Sequence, residues 1–141
     1  MTNEEYLSQA YRLDQKISSD IEELKRLREI STAISAVRFG GGVSDPRTNE
    51  APFVRSLEKI SQVEARIDCE LEKYIALMEQ MHAVIATVPD VNARMVLRYR
   101  YLNNMTWMEI GDRLNADKSS IRRWHSDALA GLTLPEDAIS L

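Results

Sequence analysis

The chain has 141 residues, 18 Lys and Arg against 22 Asp and Glu, and a formal net charge of −4, enough for one compact domain or a small domain carried on an elongated element. Its single cysteine, Cys69, excludes an intramolecular disulfide, and with only His82 and His125 at unrelated spacings it makes no zinc site. No apolar run approaches membrane-spanning length and the acidic amino terminus lacks the apolar core of a targeting peptide, so a soluble protein of a reducing cytoplasm is expected, with no membrane partner.

From Asn3 to about Val37 there is no Pro or Gly, and Tyr6, Ala10, Leu13, Ile17, Ile21, Leu24, Leu27, Ile30 and Ile34 recur at three- and four-residue steps. That periodicity predicts one long amphipathic helix. Residues 39–52, FGGGVSDPRTNEAP, hold three glycines and two prolines and read as a mobile connector. A second stripe follows, made of Leu57, Ile60, Ile67, Leu71, Tyr74, Met78, Met81, Ile85 and Val88 and interrupted where Glu64 stands beside Val63. It predicts a second helix of matching length, each on the order of 50 Å long.

Neither apolar stripe is satisfied by a helix alone in water, so each needs a partner helix from the same chain or from another copy. Residues 1–88 are expected to form a coiled-coil-like hairpin, closed within one chain or exchanged between subunits, that also joins two copies. Cys69 lies between stripe positions and reads as a packed thiol.

Pro89 and Asp90 end the second helix and start a third, in which Val91, Met95, Val96, Tyr99 and Leu102 cluster while Arg94, Arg98 and Arg100 lie elsewhere. Asn103 and Asn104 stop it. Thr106 and Glu109 have the spacing of a capping box for a fourth helix reaching Leu114. Asn115 and Ala116 then turn the chain, Asp117 is a good N-cap, and a fifth helix runs to Leu129 or Ala130 before Gly131. Residues 133–141, TLPEDAISL, contain a proline, two acids and few anchors, which predicts disorder or weak packing.

The mean charge hides a division along the chain. Residues 1–88 hold 11 basic and 15 acidic side chains, whereas residues 94–126 hold seven basic against three acidic. The basic segment coincides with two short helices joined by a tight turn, the arrangement of a helix-turn-helix within a small domain of residues 89–132. Ile110 and Leu114 of the first helix and Ile121, Trp124 and Leu129 of the second supply the packing that braces one on the other.

On the outer face, Arg122 and Arg123 can donate bidentately to guanine or phosphate, Lys118 offers a point charge, and Ser119, Ser120 and Ser126 offer hydroxyls. Arg98, Arg100, Thr106 and Arg113 are candidate phosphate contacts, which position a protein without specifying sequence. Double-stranded DNA is therefore the expected partner, with no metal, cofactor or small-molecule ligand. Trp124 reads as core, His125 as an exposed helical residue, and Gly111 as a close-packing point between the two helices. The competing reading is a plain bundle of three amphipathic helices with solvated arginines.

The stretch TWMEIGDRLNADKSSIRRWHSDALAGL resembles region four of bacterial sigma factors, in Thr106, Glu109, Ile110, Gly111, Arg113 and Leu114 and then Ile121, Arg122, Ala128, Leu129 and Leu132. The resemblance implies an all-α fold ending in a DNA-binding helix-turn-helix bundle, with Lys118, Ser119, Ser120, Arg122 and Arg123 at contacting positions. Over its whole length the chain is similar to small sigma-like regulators of phages and prophages, near the ArpU-like and RinA-like late-gene activators. That similarity implies promoter binding in a bacterial host cell and activation of phage late genes, with host RNA polymerase a further candidate partner.

The chain departs from complete sigma factors because long helices occupy the place of the promoter-melting regions. Two other classes compete. One is a small terminase subunit, which also joins a helix-turn-helix to oligomerising helices but usually opens with it. The other is an antirepressor or polymerase-binding protein acting through the acidic hairpin. An enzyme is the weakest reading, since the acids fall on outward helix faces with no histidine, cysteine or metal-spaced cluster beside them.

Overall fold

A computed structural model describes residues 1–39 and 46–141. Every regular element among the described residues is helical: α1 Asn3–Phe39, α2 Pro46–Ala86, α3 Val91–Leu97, a π-helical turn Arg98–Leu102, α4 Trp107–Leu114 and α5 Lys118–Gly131. Residues 40–45 of the expected connector lie outside the described residues. Its remaining part is helical, because α2 begins at Pro46 and carries Pro52 within it. Proline suits the first helical position, where its missing N–H has no intrahelical acceptor. Pro52 forgoes one backbone bond at a cost of up to ~3 kcal/mol, which the 41-residue helix absorbs.

The chain divides into two units, and the division cuts across both long helices instead of falling after residue 88. Met1–Asp14 joins Lys73–Leu141 in one unit, and Gln15–Glu72 forms the other.

In the first unit the largest core gathers Tyr6, Leu7 and Ala10 of α1, Leu77, Met81, Val84 and Ile85 of α2, Ala93 and Leu97 of α3, and Ala128 of α5. Tyr6 and Leu7 are fully buried, each contributing about 2 kcal/mol through the apolar area removed from water. The carboxy-terminal tail, expected to be disordered or weakly packed, is docked here, with Leu134, Ala138 and Ile139 packed on this core. Two glutamines from distant helices hold its backbone. The Gln9 carboxamide donates to the Ile139 carbonyl (2.8 Å) and accepts from the Leu141 amide (2.7 Å). Gln80 donates to the Asp137 carbonyl (3.1 Å) and accepts from the Ile139 amide (2.9 Å) and the Tyr6 hydroxyl (2.8 Å). Asn3 closes the end of α5 by donating to the carbonyls of Leu129 and Leu132.

In the second unit α1 and α2 run antiparallel, as the ion pairs Lys16–Glu70 (3.0 Å), Asp20–Arg66 (3.2 Å) and Arg28–Glu64 (2.8 Å) require. The buried and half-buried seam consists of Ile17, Asp20, Leu24, Leu27, Ser31 and Ile34 on α1, and Ser56, Ile60, Val63, Ile67 and Glu70 on α2. These alternate at three- and four-residue steps, a heptad repeat. Four residues of the expected stripes are not in it: Ile21, Ile30, Leu57 and Leu71 are 50%, 46%, 46% and 39% exposed.

Their places are taken by Asp20 and Ser31 on α1 and by Ser56 and Glu70 on α2, and Val63, fully buried, carries the seam past Glu64 without interruption. The cause is that an apolar residue beside a seam position scores in a count of hydrophobic spacing as well as the seam residue does. Cys69 is exposed, not packed.

Candidate nucleic-acid interface

Local chemistry sets each element of the carboxy-terminal helices. Asp90 caps α3, its carboxylate accepting from the Ala93 amide at 2.8 Å. The π turn closes with the Asn103 amide donating to the Arg98 carbonyl, and Asn104 at φ 54° redirects the chain. Thr106 caps α4 by accepting from the Glu109 amide at 3.2 Å, and its hydroxyl donates to the Glu109 carboxylate at 3.1 Å. Half of the expected box forms: the threonine caps the helix, but the glutamate side chain returns to the threonine hydroxyl instead of its backbone amide. Asn115, left-handed at φ 49°, ends α4, and the Ala116 amide donates to the Gly111 carbonyl at 3.0 Å. A Cβ on Gly111 would stand 3.2 Å from the Ala116 carbonyl oxygen, so this glycine serves closure of the turn more than contact between helices.

Asp117 then caps α5, accepting from the Ser120 amide at 2.8 Å. Val96, Ile110 and Ile121 form the core joining α3, α4 and α5, with Tyr99, Leu114 and Trp124 packed against it. Trp124 is core as expected, while Leu129 packs on the larger core of the first unit.

Of the residues assigned to base reading, Lys118, Ser119, Arg122, Arg123 and Ser126 are exposed on α5. Ser120 is half-buried and its amide is committed to the cap. Hydrogen bonds from Ser120 hold the Asp117 carboxyl below its ordinary value, so a fixed negative charge stands at the start of α5. Trp107, Met108, Gly111 and Asp112 of α4 line an open hollow of about 640 Å³ with Lys118, Ile121 and Arg122 of α5. Met108 is 79% exposed there.

The residues assigned to phosphate divide differently. Arg98 is exposed, beside His82 and Arg94 in a small cleft of about 150 Å³. Arg100 donates to the Met105 carbonyl (3.0 Å) and lies over the Trp107 ring (4.5 Å). Arg113 lies over the Tyr99 ring (5.6 Å), and Thr106 is the cap of α4.

One cluster carries no signal in the sequence. The Tyr101 hydroxyl and His125 Nε2 share a hydrogen bond of 2.7 Å, and the His125 ring meets the Trp107 ring edge-on at 4.7 Å. His125 is thus a half-buried link between the π turn, α4 and α5, not an exposed residue. Burial lowers its pKa, opposed by Glu4, and burial pushes the Tyr101 hydroxyl up to about 12. Tyr101 and His125 lie 24 residues apart, too far for any helical spacing to pair them. Among the described residues, no group of acids, histidines and cysteine is placed to hold a metal ion, and no helix is long and apolar enough to cross a membrane.

Comparison with known proteins agrees with this geometry. No curated protein and no solved structure matches the chain significantly. Residues 90–133, from the cap of α3 to just past the end of α5, match sigma-70, region 4. Region 4 is a DNA-binding helix-turn-helix, a noncatalytic module connected with transcription, and the carboxy-terminal helices of this chain are similar to it.

Proposed function

We propose that the protein is a sequence-specific DNA-binding transcription regulator that works as a homodimer and activates phage late genes from promoter DNA in a bacterial host. The observation that carries this reading is the outer face of α5, where Lys118, Arg122 and Arg123 are exposed while Ile121 and Ala128 on the same helix are buried. A helix held this way from behind is built to enter the major groove and leave cations free for base edges and phosphates. In this reading Arg122 and Arg123 read guanine, Lys118 and Ser119 contact the strand nearest the turn, and Ser126 extends the contact by one turn. Arg98, Arg100, Arg113 and Thr106 meet the backbone, and host RNA polymerase is the second partner.

The test is binding to promoter fragments from a phage genome. The double substitution Arg122→Ala and Arg123→Ala abolishes sequence preference in fluorescence anisotropy while leaving the circular dichroism spectrum unchanged. Unaltered affinity and preference in that variant would remove α5 as the reading helix.

A further inference from the structure

The second unit is thinly cored for two helices of its length: its buried apolar cluster among the described residues is Leu24, Val63 and Ile67, with Leu27 and Ile60 packed against it. Meanwhile Ile21, Leu57 and Leu71 are exposed. These three fall on one flank. Arg28 bonds Glu64 across that flank at 2.8 Å, and moving seven residues either way along two antiparallel helices puts Ile21 level with Leu71 and Ser35 level with Leu57. The flank therefore carries three rungs about 10 Å apart: an apolar pair, an ion pair, and a protruding leucine beside a small residue. Next to Leu57 the surface sinks into a hollow of about 690 Å³ lined by Ser31, Thr32, Ser35 and Ala36.

We infer that this flank is the dimer interface, and that its occupant is the same flank of a second copy. The inference rests on the dimeric reading above and gives it a surface. Two in-plane dyads bring a flank onto itself. A dyad running across the helices stacks Arg28 on Arg28 and Glu64 on Glu64. A dyad running parallel to them lays α1 of one copy on α2 of the other, so that Arg28 meets its partner's Glu64, Ile21 meets its partner's Leu71, and Leu57 enters its partner's hollow at Ser35. Charge and shape both select the second arrangement. From the Ile21 rung to the Ser35 rung the strip is about 21 Å long and two helices, or about 20 Å, wide, a footprint about half the ~800 Å² per partner of a standard interface. The selection between arrangements therefore rests on charge and on the fit of Leu57 in the hollow, and the dimer is a weak, concentration-dependent one. The product is a four-helix bundle whose apolar rungs flank a ring of four charges.

Sedimentation of the full chain gives twice the 16.1 kDa chain mass. The pair Ile21→Lys with Leu71→Lys, and separately the pair Ile21→Glu with Leu71→Glu, each sediment as monomers with unchanged helix content. An equimolar mixture of the two regains the dimer. Ser35→Trp, which fills the hollow without touching the charges, also gives a monomer and serves if either charged pair fails to fold. A native chain that sediments as a monomer at ~50 μM overturns both this surface and the dimeric reading. A native dimer that survives all these substitutions overturns the surface alone.

Discussion

Arg100 and Arg113 show how far a cation's identity falls short of its role. Both are basic, near the turn and plausible for phosphate, yet each lies over an aromatic ring, Trp107 and Tyr99 respectively. A guanidinium already held this way loses less side-chain freedom on meeting a phosphate than one moving in solvent, so in the proposed DNA complex the rings would position these arginines without making them more specific. Substituting either by Ala is expected to weaken binding about equally for all DNA sequences and to flatten the salt dependence by about one phosphate. His125 makes the complementary case. Its burial lowers the folded-state pKa below the ordinary 6.5, so folding resists the proton. The stability it contributes is fully present above the unfolded value and is lost as pH falls through the lower folded one. The thermal midpoint of the native chain therefore drops between pH 6.5 and 5 by more than that of His125→Gln, which keeps a hydrogen-bonding head without the titration. Parallel curves for the two proteins would assign the acid sensitivity elsewhere. The sequence offered Lys118, Arg122 and Arg123 correctly as exposed cations because helical phase alone sets their face, but Arg100 with Trp107 and Tyr101 with His125 are partnerships of tertiary packing.

Elements whose boundaries depend on neighbours three or four residues away were legible, and those depending on distant partners were not. Thr106 and Asp117 cap α4 and α5 as their spacing to Glu109 and Ser120 requires. The left-handed turn at Asn115 likewise follows from a residue that tolerates positive φ. The heptad seam was legible in period but not in phase: Asp20 is buried and Ile21 exposed, because the cations of Lys16 and Arg66 reach the buried acids Glu70 and Asp20 from the seam's edge. The tail was illegible altogether. Nothing in TLPEDAISL announces that Gln9 and Gln80 will exchange hydrogen bonds with its backbone. Each glutamine contributes about 1 kcal/mol net per bond made within the protein, and the tail's apolar residues add burial on the core. The entropy of ordering nine residues offsets much of this gain, so removing residues 133–141 is expected to lower unfolding stability by roughly 2–4 kcal/mol in urea, and Gln80→Ala alone by about half as much. A truncated chain with an unchanged urea midpoint would show the docked tail to be energetically idle.

At the scale of the whole molecule, the charge division bears directly on the proposed dimer. The chain is acidic overall, and residues 94–126, where basic side chains outnumber acidic ones, carry only seven of its 18 cations. A single copy of the proposed DNA-binding module therefore presents few phosphate contacts while the net-acidic remainder is repelled by the duplex. One such module binds weakly at physiological salt. Two modules joined through their helices make the second contact intramolecular, at an effective concentration in the millimolar range, provided the half-sites are spaced to match. Affinity for a paired site then depends on residues far in sequence from any that touch DNA. The pair Ile21→Lys and Leu71→Lys is expected to weaken binding to a two-half-site promoter by roughly 10²–10⁴-fold, while leaving affinity for a single half-site unchanged. Anisotropy titrations on the two duplexes separate the possibilities. An equal loss on both would mean that the helices support the folding of the carboxy-terminal module and add nothing by linkage. No loss on either would mean that one copy suffices and that the exposed flank serves another purpose. A loss confined to the paired site requires linkage, because neither Ile21 nor Leu71 belongs to the unit that holds the helix-turn-helix.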